Sequence, residues 1–258
     1  MTWDVMHAGL GWSVASVVIG VSFVSSLITA GFGIGGGAVM LAVLATLLPA
    51  AAIIPVHGLV QLGSNVGRLA IMVRHVHYSV VLPFLIGAII GVTFGGVFVV
   101  QLDPGMLQIA VGLFILWSIT FRPPAFMRAS SSVAGGFSSF LTMFFGGTGP
   151  FVAAYVKTLG LDRISHVATH AALMTIQHFL KTVAFGFLGF AFTQWAGFIA
   201  LLIAFGFLGT IAGRMILTVI NEKRFKFVLN AILGLLAARL IYAGGVDLWF
   251  STTVPGPL

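Results

Sequence analysis

Hydrophobic residues fall along this chain in long runs, not in the alternating pattern of half-buried strands. Ten runs stand out, over residues 12–32, 37–48, 53–73, 79–101, 104–121, 133–146, 150–161, 164–188, 194–220 and 225–243. The second and the seventh are short, and each follows a glycine-rich interruption. The first interruption is Gly31-Phe32-Gly33-Ile34-Gly35-Gly36-Gly37, and the other is Phe145-Gly146-Gly147-Thr148-Gly149-Pro150. A helix of about 12 residues rises about 18 Å, against a hydrocarbon core of ~30 Å. The pattern predicts an all-α polytopic membrane protein with a broken helix and a short half-helix in each half. Broken helices at matching positions of two halves point to a binding site near the bilayer midplane.

The segment Arg122-Pro-Pro-Ala-Phe-Met-Arg128-Ala-Ser-Ser-Ser132 separates two apolar blocks. Prolines, cations and serines together mark a boundary. The chain therefore divides into a first transmembrane repeat (1–121), a linker (122–132) and a second repeat (133–258). Five elements per half is an odd number, so the second half enters the membrane inverted. The halves align without gaps at an offset of 113. Phe32 meets Phe145, Gly33 meets Gly146, Gly36 meets Gly149, His57 meets His170 and Arg68 meets Lys181. Lys and Arg favour cytoplasmic loops. With the N-terminus outside, Arg74, Arg122, Arg128, Arg163 and the Lys223–Lys226 cluster all fall inside. Both termini then lie outside the cell (inner) membrane.

Composition narrows the class. With 59% hydrophobic and only 7% charged residues, the chain cannot keep itself dissolved as a soluble domain. Met1 to Gly11 carries Asp4 and no Lys or Arg, so the first apolar run reads as a retained helix rather than a cleaved signal. The net charge of +7 is scattered among apolar segments, which excludes a nucleic-acid surface. No Cys is present, so thiol and iron–sulfur chemistry are out. The acids are Asp4, Asp103, Asp162, Glu222 and Asp247, none of them in mid-membrane on this segmentation. That argues against a cation pathway. It also removes the paired carboxylates and Ser/His/Asp sets an enzyme would need. His166 and His170 at i, i+4 make a poor metal site without a carboxylate or Cys, so no metal and no cofactor is expected.

The remaining polar residues suit an anion. A half-helix that starts inside the membrane offers free N–H groups and a partial positive charge. Gly33, Gly35, Gly36 and Gly37, and Gly146, Gly147, Thr148 and Gly149, could let a ligand approach those amides closely. The other reading of membrane glycines is close helix packing, which suits Gly87, Gly91, Gly95, Gly96, Gly206, Gly209 and Gly213. Arg68 and Lys181 lie within long runs with no acid at matching depth. They face an anionic substrate, bond carbonyls of a broken helix, or reach the surface, as Arg214 and Arg239 would from nearer their segment ends. His57 and His170 are either packing residues or carriers of a coupling proton. Gln61, Asn65, Gln177 and His178 share those two helices. They serve as donors to oxyanion oxygens or as interhelical hydrogen bonds.

The Gly-Phe-Gly-Ile-Gly-Gly-Gly motif, followed by a short apolar segment closed by Pro49, is similar to the first motif of the sulfite exporter TauE/SafE family. Phe-Gly-Gly-Thr-Gly-Pro at 145–150 sits where that family repeats its glycine motif, with Thr148 and Pro150 interposed. The resemblance covers about 12–243. It implies a transporter of a small sulfur-containing or organic anion, of the sulfite, thiosulfate or sulfonate class, working by alternating access. An anion channel, a membrane enzyme acting on an anionic lipid and a non-transport membrane scaffold are the alternatives. The expected partners are the anion, the lipid bilayer, a coupling proton and, in a homo-oligomer, further copies of the chain.

Overall fold

The computed structural model describes residues 3–32, 35–99, 103–216 and 222–253. Those residues form ten α-helices and no strand. They are α1 (Trp12–Phe32), α2 (Gly36–Leu47), α3 (Ala50–Met72), α4 (Val81–Val99) and α5 (Pro104–Thr120). The second half continues with α6 (Ser131–Phe145), α7 (Gly149–Thr158), α8 (Arg163–Phe187), α9 (Phe192–Ile216) and α10 (Glu222–Thr253). Four stretches are long and apolar enough to cross a membrane: 12–31, 78–99, 192–213 and 227–249. α2 and α7, at 12 and 10 residues, are not.

Local chemistry explains most boundaries. Asp103 caps α5 by accepting from the Gly105 amide at 2.8 Å, and Pro104 follows where its missing N–H costs nothing. Ser130 caps α6. Asp162 caps α8 through the amides of Ile164 and Ser165. Bonds from Ser165, together with the Ile164 amide, hold its carboxyl below the usual carboxylate range. The cap is therefore fully formed near neutral pH and weakens as the pH falls through that lowered value.

α10 runs about ten residues beyond the expected end near 243. In the structure Gly244 is a packing contact, because a Cβ there would sit 2.5 Å from the Gly105 carbonyl of α5.

α3 and α8 pack against each other at the centre. Neither is among the four long apolar stretches, and together they carry His57, Gln61, Asn65, Arg68, His170, Gln177, His178 and Lys181, all buried. Around them α1 packs on α9, α4 on α6 and α5 on α10, while α9 also touches α3 and α4 touches α8. α2 lies against α1, α3 and α10; α7 lies against α6 and α8. The main core is built from α2 and α3 residues such as Met40, Leu41, Leu44 and Ile53 with Phe198 and Leu202 of α9.

Glycines set the outer pairings. Cβ atoms on Gly87 and Gly91 of α4 would overlap the carbonyls of Ser132 and Gly136 on α6. Gly209 of α9 meets the Phe23 carbonyl of α1 in the same way. These contacts are the small-residue packing expected between membrane helices. Gly91→Leu should force α4 and α6 apart and cost about 3 kcal/mol, read as a drop of roughly 5–10 °C in Tm. An unchanged Tm would mean that this seam is not needed for the fold.

Candidate anion site between the two broken helices

The breaks occur at matching positions. α1 ends at Phe32 and α2 starts at Gly36; α6 ends at Phe145 and α7 starts at Gly149. At the offset of 113 these are the same residues of each half. Gly35 (φ 105°) precedes α2, and Gly146 (φ 73°) closes α6. Both lie in the left-handed region, where a side chain costs about 1–2 kcal/mol. Gly33 lies outside the described residues.

Both breaks open on one cavity of about 50 Å³. That is room for roughly three or four water-sized groups, the size of a small oxyanion. Gly35 and Gly37 line it from one side, Gly146, Gly147 and Gly149 from the other. The first amides of a helix have no partner within it. The first turns of α2 and α7 both border this space, so two positive helix ends face one volume.

Arg68 is the charge in that wall, and only 3% of it is exposed. Its Nη2 donates to Asn65 Oδ1 at 2.8 Å and its Nε to the Ser64 carbonyl at 3.4 Å. Nη1 is buried with no hydrogen-bond partner among the described residues. Asn65 is itself fixed by donating to the Gln61 carbonyl at 2.7 Å. Among the described residues no Asp or Glu lines the cavity. Burial removes the surface-reaching reading of Arg68.

The two histidines at matched positions are braces. His57 Nε2 lies 3.0 Å from the Gly37 carbonyl, and His170 Nε2 lies 3.2 Å from the Gly149 carbonyl. A carbonyl only accepts, so both rings donate through Nε2. Each ties the first turn of its half-helix to the long helix of the same half. His178 stands edge-on to His57 with ring centroids 6.0 Å apart. The Nδ1 atoms of His57 and His178 are buried without partners. His57, His170, His178 and Gln61 all reach the cavity wall.

Lys181, Gln177, Thr148 and Gly36 do not line it. Lys181 is fully buried, and its Nζ donates to Thr142 Oγ1 at 3.4 Å and to the Gly146 carbonyl at 3.5 Å. Thr142 donates to the same carbonyl at 3.1 Å. Gln177 accepts from Ser138 at 2.9 Å and donates to Thr148 Oγ1 at 2.6 Å. These residues hold the second break in shape. The two matched cations thus do different jobs, with Arg68 facing the cavity and Lys181 bonding the carbonyl end of α6. Lys181→Met should therefore weaken binding of a small anion by less than about fivefold, because only a longer-range field is lost. A loss as large as that of an Arg68 variant would put Lys181 in contact with the anion.

Thr29, Ala38, Pro150 and Met174 also line the cavity and had not been expected there. Thr29 carried little signal, since a helical Thr that bonds the Ser25 carbonyl at 2.9 Å looks like a packing residue. Ser138 and Thr142 had one: they recur at i, i+4 on one face of α6. Thr169 is spent on the His77 amide at 2.9 Å.

The family model of the sulfite exporter TauE/SafE matches residues 18–240, most of the chain and both breaks. The chain belongs to the sulfite exporter TauE/SafE family. No curated protein and no solved structure matches it. TauE/SafE proteins are membrane transporters and not enzymes, and membership of that family points to a membrane anion exporter. Its polar interior agrees with that: donors and a guanidinium converge where no carboxylate would compete for them.

Proposed function

We propose that the chain carries a small sulfur oxyanion of the sulfite, thiosulfate or sulfonate class across the cell membrane by alternating access. Arg68 Nη1 and the amides of Gly37 and Gly149 hold the anion. The observation that carries this reading is a buried guanidinium with one unpartnered nitrogen, in a carboxylate-free cavity bordered by both helix breaks. An anion of that charge offsets the cost of burying Arg68.

The halves are inverted repeats, 1–121 and 133–258, joined by 122–132. Two findings support this. Exchanging the halves turns the α1–α9 contact into α6–α4 and the α3–α9 contact into α8–α4. It leaves α3–α8 and α5–α10 unchanged. Rocking of one half against the other would open the cavity to each side in turn. The charge of the loops favours both termini outside. An exporter can use the inside-negative potential alone; an importer would draw on a proton carried by His57 or His170.

Proteoliposomes loaded with labelled sulfite test the carrier against the channel. A carrier gives saturable flux that unlabelled sulfite on the opposite side accelerates. Flux that rises linearly with concentration and ignores the opposite side would make it a channel, and no flux would favour a scaffold.

A further inference from the structure

Arg239 belongs to neither the cavity nor a loop. It sits on α10 within the apolar stretch 227–249, exposed on the outer surface of the bundle. Its depth is fixed by the neighbouring helix. Gly112, the middle residue of α5, packs against Ala237, Leu240 and Ile241, so Arg239 is level with the centre of α5. Either end of α5 is eight residues away, about 12 Å along a helix axis. An extended Arg side chain spans roughly 7 Å, which leaves its charge short of either surface.

Among the described residues the guanidinium has no hydrogen-bond or ion-pair partner. Its neighbours on that face are apolar and exposed: Ile232, Leu235 (74% exposed) and Tyr242 (76% exposed). With Arg239 they recur at spacings of three, four and seven, the seam of a helix that packs on another helix. A charge on the lipid-facing side at this depth is costly unless it is paired. A second copy of this helix is the wrong partner. Arg239 is near the middle of the span, so parallel and antiparallel pairing alike bring two guanidinium groups together.

We propose that the outer face of α10 docks a transmembrane helix of another protein that carries an Asp or Glu near the middle of its span, paired with Arg239. Leu235 and Tyr242 pack on either side of the ion pair. The surface is independent of the anion site.

The chain has no Cys, so Val246→Cys takes a single donor fluorophore. The labelled protein is placed in phosphatidylcholine vesicles with a synthetic leucine-rich transmembrane peptide bearing an acceptor and one central Glu. Peptides with Gln or Leu at that position are the comparison. Energy transfer should reach half-saturation with at least tenfold less Glu peptide than Leu peptide. The preference should survive Arg239→Lys and vanish in Arg239→Leu and Arg239→Gln. Equal association of the Glu and Leu peptides with the wild-type protein overturns the proposal without recourse to any variant. So does a preference that persists in Arg239→Leu. Transfer between two labelled copies that depends on Arg239 would assign the face to self-association instead. Loss of the Glu preference on adding phosphatidylglycerol would assign Arg239 to anionic lipid.

Discussion

Arg68→Met should weaken binding of a small sulfur oxyanion by about 10- to 100-fold, the equivalent of one or two charged hydrogen bonds. The same variant should melt no lower than the wild-type protein in the absence of anion. Arg68 is buried without an acid, so its charge is desolvated for no return within the chain. Met fills a similar volume and removes that cost. The loss of the bond to Asn65 offsets part of the gain. Titration of sulfite against the melting temperature reads both effects at once, because a ligand of the folded state raises Tm by mass action. Arg68→Lys keeps the charge but not the fork of donors and should recover part of the affinity. A variant that melts lower yet responds to sulfite like the wild type would make Arg68 a structural residue. It would also remove the main support for the site.

Gly36→Ala should have the largest effect on folding of any single methyl group added near the site. A Cβ at Gly36 would overlap the Ser25 carbonyl and Thr29 Oγ1 of α1, which face it across the hairpin of α1 and α2. Neither can yield easily. Ser25 O is backbone within α1, and Thr29 is bonded to that same oxygen. The helices would have to separate, at a cost of about 3 kcal/mol or more. The separation would also shift the first turn of α2 away from the cavity, so anion binding should fall together with Tm. Gly147→Ala is the contrast. There a Cβ would meet Leu41 Cδ2 at 3.2 Å, the end of a side chain that can move, and the Phe145 carbonyl at an ordinary 4.0 Å. Comparable melting of the two variants would mean that α1 and α2 approach each other less closely than described here.

The breaks were readable because glycine and proline act locally. Helix ends at Phe32 and Phe145, and restarts at Gly36 and Gly149, follow from the chain itself whatever packs around them. The matched register of His57 with His170, and of Arg68 with Lys181, also lay in the linear sequence. What each pair does was not readable, because it depends on neighbours from other helices. Lys181 reaches the carbonyl of Gly146 past Gly58, where a Cβ would stand 2.7 Å from its Cε. Arg68 has its own helix for partners and keeps one nitrogen for the cavity. The same limit applies to α10. The apolar run gave no sign that Gly244 is the point where α5 approaches. Arg239 looked close to a segment end only while α10 was taken to finish near 243.

The most direct test of the central claim is to locate the anion. Selenite has the shape and charge of sulfite and carries an atom that scatters anomalously. A structure of the protein with selenite should show one selenium peak in the cavity, its oxygens about 3 Å from Arg68 Nη1 and from the amides of Gly37 and Gly149. A selenium site on Lys181 or outside the bundle, or a cavity without selenium at saturating selenite, would contradict the account.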